Sequence, residues 1–313
     1  MMSGILAYFI GRETPLSPGA RSSILHSVEL LQPLLLFIML YIAFCKVNPR
    51  DMRPRRWHLW LILTQTAVFI LCILALHYLP TLSPLGGAVG GALHYSIEAF
   101  MLAMICTTAT ACAVVTQKLG GNSSTTTTYT ILINLAVAVI APLFLPLHND
   151  PTVTSLSLPF MKIIGKVFPV LIFPLLLAWL TRRFLPRMHA AILSVRDLAF
   201  YLWAVALALP IAITCRALVH SRESLATILL IALATLAACI IQFLYGWHVG
   251  SRCGFRLEAG QAMGQKNTIF IIWLGYTFLC PISATAGGFY SIWHNLINSW
   301  QLYQKRKKTP PRT

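Results

Sequence analysis

Nine stretches of about twenty apolar residues follow one another along the chain, each long enough to cross roughly 30 Å of hydrocarbon as a helix. They run from Ile24 to Phe44, His58 to Leu79, Leu93 to Thr116, Ser124 to Leu147, Phe160 to Thr181, Asp197 to Leu218, Ser224 to Gly250, Gly254 to Phe278 and Pro281 to Tyr303. Only 10% of the 313 residues are charged and 57% are hydrophobic, whereas a water-soluble domain carries about 25% charged residues. The chain therefore reads as an all-α polytopic membrane protein. In lipid, a spanning segment must satisfy its backbone internally, and helices of this length do so.

The charges that remain are placed, not scattered. Formal net charge is +16, yet most basic residues fall in alternate loops: Lys46 to Arg56, Lys118, Arg182 to Arg196, Arg252 with Arg256, and the tail from Lys305 to Arg312. That alternation is the positive-inside pattern of a nine-helix protein in a cell inner membrane, N-terminus outside and C-terminus cytoplasmic. It makes the lipid bilayer the partner of the basic charge and excludes a nucleic-acid footprint. Residues 1–23 read as an extramembrane or interfacial start, because no basic stretch precedes the apolar Met1 to Ile10 and no small-residue cleavage site follows. Residues 24–303 form the transmembrane domain, with repeats over about 24–147 and 160–303, and 304–313 a basic cytoplasmic tail. Eight cysteines lie in or beside the spans with no CxxC pair. They read as small packing residues, with no metal site among them.

Two spans carry small and polar residues at mid-membrane depth. The third contains Cys106-Thr-Thr-Ala-Thr-Ala-Cys112 and the eighth Glu258-Ala-Gly-Gln-Ala-Met-Gly-Gln-Lys-Asn267. Each is next to last in its half of the chain. Corresponding interrupted spans in two halves point to broken helices and a binding site at an inverted-repeat interface. The glycine pairs Gly86/Gly90, Gly246/Gly250 and Gly260/Gly264 also fit plain close packing of helices. Glu258 and Lys266 weigh toward function, since each charge within a span costs at least about 2.5 kcal/mol on insertion scales. The run Ser123 to Thr128 offers hydroxyls to cap the helix it opens, and Thr126 and Thr130 share a face.

The chain resembles the bile acid:sodium symporter family over most of its length. The residues that carry the resemblance are Pro33 to Leu40 with Val47-Asn-Pro-Arg-Asp-Met-Arg53, then Thr64-Gln65, Thr108 to Asn122, Ala262 to Thr268, and Trp293-His294-Asn295. The resemblance implies an inverted-repeat core of two crossing broken helices and a smaller panel built from the first, fifth and sixth spans. An organic anion, bile-acid-like or a small carboxylate, would bind between core and panel and move with sodium. Carried over by position, the substrate-binding candidates are Thr108, Thr110, Cys112, Ala113, Gly264, Asn267 and Asn295. The ion-coupling candidates are Gln65, Thr126, Thr130, Glu258, Gln265 and Lys266, and of these Gln65, Thr126, Thr130 and Glu258 would hold sodium. No other cofactor is implied.

The departures from the family pattern matter as much. Cys112-Ala113 stands where the family has Ser-Asn, Ala262 falls on its sodium-ligating Glu, and Lys266 falls on its Gln; a shifted register would bring Glu258 to the ligand position. Three readings of Lys266 stay open. It is a tethered substitute for sodium, which by losing and regaining a proton also offers proton coupling; or it snorkels or pairs with Glu258; or sodium symport persists through Thr126, Thr130 and Glu258. No HExxH, GxSxG or intramembrane aspartate pair supports an enzyme. A non-transporting ligand sensor is the remaining competitor. The identity of the anion and the oligomeric state are not written in the sequence.

Overall fold

The structure, a computed structural model, describes residues 33–46, 52–82, 88–149, 157–194, 211–212, 214–221 and 223–308. Residues 1–23, expected as an extramembrane start, and most of the expected sixth span lie outside the described residues. The helices are α1 (Pro33–Cys45), α2 (Arg56–Leu82), α3 (Ala88–Ile105), α4 (Cys112–Lys118), α5 (Ser123–Asn149), α6 (Ser157–Phe184), α7 (Pro186–Ser194), α8 (Leu225–Cys253), α9 (Arg256–Gly264), α10 (Thr268–Phe278), α11 (Pro281–Ala284) and α12 (Ala286–Lys308). Among the described residues, α2, α5, α6 and α8 are long and apolar enough to cross a membrane unbroken. The third and eighth expected spans are each interrupted, as α3/α4 and α9/α10. The ninth departs from expectation: it breaks at Thr285 into α11 and α12, and α12 continues to Lys308, so the expected tail is helical through its first basic residues.

The outside of the bundle is apolar as well as its core. Leu59, Leu63, Leu71 and Leu74 on α2 and Leu229, Leu233, Ile240 and Leu244 on α8 face outward, while Gln65 and Gln242 on the same helices are fully buried. Lipid accepts the leucines at no cost, and a polar amide finds partners only inside the bundle. Because lipid is as apolar as leucine, helices associate by close approach rather than by hydrophobic exclusion.

The α8–α9 hairpin shows the consequence. Ser224 caps α8, its hydroxyl accepting from Thr227 N at 3.1 Å, and Gly254 ends it in the left-handed region at φ +75°. The chain then folds straight back. A Cβ on Gly246 would stand 2.6 Å from the Ala259 carbonyl, and one on Gly250 would stand 2.4 Å from that of Phe255. The packing reading of these glycines is therefore correct; Gly86 lies outside the described residues.

Core and panel are held differently. α3 packs between α2 and α8, and α12 covers α8 and α10, so both broken helices sit inside one core. α1 joins α6 through Tyr41 Oη and Thr181 Oγ1, 3.0 Å apart. α7 folds back beneath them, His189 Nε2 donating to the Cys45 carbonyl at 2.9 Å. Basic residues occupy the last turns of α4, α6, α8 and α12. The start of α5 is capped by Asn122, whose side-chain oxygen accepts from Ser124 N at 2.9 Å. The threonines expected to cap it instead donate to carbonyls three or four residues back in their own helix.

Candidate functional site: the crossing of two broken helices

Where α3 ends at Ile105 and α9 ends at Gly264, the chain runs extended and the two extended pieces pair. Thr108 and Lys266 form an antiparallel bridge, with Ala109 N donating to the Gln265 carbonyl at 2.9 Å and Asn267 N to the Thr107 carbonyl at 2.8 Å. Each break thus supplies hydrogen bonds that the other lost by leaving the helix. Cys106 Sγ adds a contact to the Asn267 carbonyl at 3.0 Å, and Thr108 Oγ1 donates to the Ala262 carbonyl at 2.7 Å.

Helix ends leave carbonyls unpaired, and here long side chains take them. Gln65 Nε2 donates to the Met104 carbonyl at 2.7 Å and reaches that of Cys106 at 3.4 Å. Gln242 Nε2 lies 3.3 Å from the Ala103 carbonyl and 3.0 Å from Tyr290 Oη, which itself donates to the Gly264 carbonyl at 2.8 Å. Lys266 completes the set: fully buried, it donates from Nζ to the Cys106 carbonyl at 3.0 Å. The Lys266 amine therefore sits at the negative end of the half-helix α3, where the macrodipole favours its charged form. Its electrostatic neighbours are the thiols of Cys106, Cys112 and Cys239. Among the described residues, no carboxylate pairs with it, since both ion pairs there belong to Glu98.

The expected site residues divide. Thr108, Gly264, Gln265, Lys266 and Asn267 meet at the crossing. Cys112 is the buried first residue of α4, its Sγ 4.0 Å from Thr116 Oγ1. Thr110 and Ala113 are partly exposed beside it. Asn267 caps α10, accepting from Phe270 N at 3.4 Å. Gly264 serves packing, because a Cβ there would lie 2.5 Å from the Phe243 ring. Asn295 does not join: its amide donates to the Ser291 carbonyl of its own helix at 2.7 Å.

Glu258 is also elsewhere. It lies in the first turn of α9 and accepts from Asn122 N at 2.8 Å, at the basic end of the bundle, so it neither pairs with Lys266 nor reaches the crossing. Thr126 and Thr130 are buried on α5, donating to the carbonyls of Ser123 and Thr126. The side-chain oxygen of Gln65 accepts from the Tyr129 hydroxyl. The donor set for a sodium ion at the crossing is thus poor. The Cys106 carbonyl faces the Lys266 amine, the Gln65 oxygen is engaged, and the nearest candidate carboxylate is at the far end of α9. Sequence reasoning missed Tyr129, Gln242 and Tyr290, although a glutamine amid the apolar run of α8 signals an inward-facing partner.

A helical bundle with long apolar helices, whose two interrupted helices bond through their broken ends, defines a polytopic membrane protein of transporter type. A profile described as "Sodium Bile acid symporter family" matches residues 33–228. The chain belongs to that family, so it is a membrane transport protein. The match runs from α1 to the first turn of α8, and the second broken helix lies beyond it. No curated protein matches the chain.

Proposed function

We propose that the protein is a secondary active transporter of an organic anion, working by alternating access in a cell inner membrane, with Lys266 standing where a coupling sodium ion would otherwise bind. The observation that carries this reading is the fully buried Lys266 Nζ, 3.0 Å from the Cys106 carbonyl at the end of half-helix α3. Half-helix C-termini are where transporters of broken-helix design hold cations, and a tethered cation supplies the same charge without an ion from solution. The facing half-helices α4 and α10 begin at Cys112 and Thr268, beside the crossing. Their N-termini favour an anion. Thr107 Oγ1 is buried there without a partner in the protein, a hydroxyl able to donate to a bound carboxylate.

Uptake of a labelled carboxylate or sulfated steroid into liposomes, with sodium or potassium outside, tests this in the wild type and in Lys266→Gln. Transport independent of sodium in the wild type, with sodium dependence appearing in the variant, is the expected result. Strong sodium dependence in the wild type, unchanged by the substitution, ends the idea. Counterflow of the labelled anion separates a carrier from a sensor, which binds without exchange.

A further inference from the structure

At the end of the bundle opposite the basic tail lies a second polar cluster that the crossing does not use. Glu98 on α3 is buried, its side chain 5% exposed, and two imidazoles aim at the same carboxylate oxygen: His94 Nε2 at 3.2 Å and His148 Nε2 at 2.7 Å from Oε1. The other oxygen accepts from Ser283 Oγ, and Cys280 Sγ stands 3.8 Å from it. One ligand atom from each of His94, Glu98 and His148 lies within 4.8 Å of the others. The two imidazole rings are 5.6 Å apart with planes 32° from parallel.

With zinc bonds of about 2.0–2.2 Å to nitrogen and oxygen, neighbouring ligand atoms of a tetrahedral site stand roughly 3.3 Å apart; His94 to Glu98 is 3.2 Å and His148 to Glu98 is 2.7 Å, so an ion would need the second pair to open slightly. We infer that His94, Glu98 and His148, with a fourth position left to water, form a binding site for a divalent ion of the zinc class. Two imidazoles and one carboxylate select such an ion over magnesium or calcium, which take oxygen ligands.

The placement suits access from water. His148 is in the last turn of α5, a 27-residue helix that spans about 40 Å, so the cluster lies at the level of a helix end. His94, with 36% of its side chain exposed, is the open side. Binding needs the Nε2 lone pairs, so the neutral imidazoles carry their protons on Nδ1 in the loaded form.

The ion would fasten two elements, since His94 and Glu98 come from α3 and His148 from α5. The first broken helix would then be clamped to its neighbour, independent of what occupies the crossing and of whether Lys266 substitutes for sodium.

The test uses the full chain in detergent, stripped with a chelator and titrated with cobalt(II) and then zinc. We expect one ion per chain, visible d–d absorption with cobalt, and a thermal midpoint that rises with zinc and not with magnesium. His94→Gln removes the exposed ligand and leaves the Glu98–His148 contact, so its midpoint without metal should match the wild type while its zinc affinity falls at least about tenfold. Glu98→Gln should lose the cobalt spectrum. Absence of binding by the wild type at micromolar zinc would overturn the assignment. So would equal affinity in a His94→Gln/His148→Gln double variant, which would assign the metal to cysteines instead.

Discussion

Between α3 and α4 the chain leaves the helix through Cys106 to Ala111 without a glycine or a proline, whereas between α9 and α10 it leaves at Gly264 and re-enters behind Asn267. The second break carries its own signals: a residue without a side chain where Phe243 presses, and a capping amide for the next helix. The first has neither. Ala111, at the cap position of α4, has helical backbone angles and no side-chain hydrogen bond. What stops α3 is tertiary: Gln65, Gln242 and Lys266 reach in from other elements to take its last carbonyls. One interruption is thus specified locally and the other by its surroundings, and the locally specified one supplies the lysine that completes the other.

The largest expected effect follows from the steric signal. Gly264→Val should abolish folded yield or cut stability by about 3 kcal/mol or more, because its Cβ would lie 2.5 Å from the Phe243 ring. Adding Phe243→Leu should return part of the loss, measured as monodisperse protein in detergent, while Ala111→Val at the partly exposed first break should be tolerated. Equal damage from both valines would erase the distinction between the breaks.

Next in size is Lys266→Met, which keeps the length and removes the donor to the Cys106 carbonyl. An unsatisfied buried carbonyl costs about 1–3 kcal/mol; Gln65 Nε2, at 3.4 Å, keeps the Cys106 carbonyl partly satisfied, so the loss should lie at the low end of that range, read as a lower unfolding midpoint in mixed micelles. If the midpoint rises, the lysine is held at the crossing against stability, and function alone explains it. Thr108→Val should cost about 1 kcal/mol through the lost bond to the Ala262 carbonyl. The smallest effect is expected at the caps. Asn267→Ala should lose roughly 0.5 kcal/mol, the low end for a cap given its 3.4 Å bond. Ala111→Ser should gain nothing, because a capping hydroxyl needs an extended backbone that this position does not adopt.

Much of this was readable in the residues. The membrane environment follows from a chain with almost no charge, and the two interrupted spans were visible as small and polar residues at membrane depth. The pairing of the two breaks followed from their matching places in the halves. What could not be read was which partner each polar group takes. Glu258 and Lys266 are eight residues apart and look like a pair on paper, but α9 carries one to the basic end and the other to the crossing. Threonines that suggest caps or ligands turned out to bond their own helix, a local option open to any buried hydroxyl in lipid. The His94–Glu98 pair is visible as a helical i, i+4 spacing, yet its third member, His148, comes from another helix. No spacing rule joins residues that only the bundle brings together.

The cysteines around Lys266 have a practical meaning. Cys106, Cys112 and Cys239 are buried, as are Cys45 and Cys72 elsewhere, while Cys215, Cys253 and Cys280 are partly open. A thiol reagent added in liposomes to a Cys45→Ala/Cys72→Ala variant will therefore react in two waves, and the slow wave keeps time for the excursions that bring the crossing to water. Its rate, with and without a candidate anion, turns three packing residues into a native stopwatch for the gate.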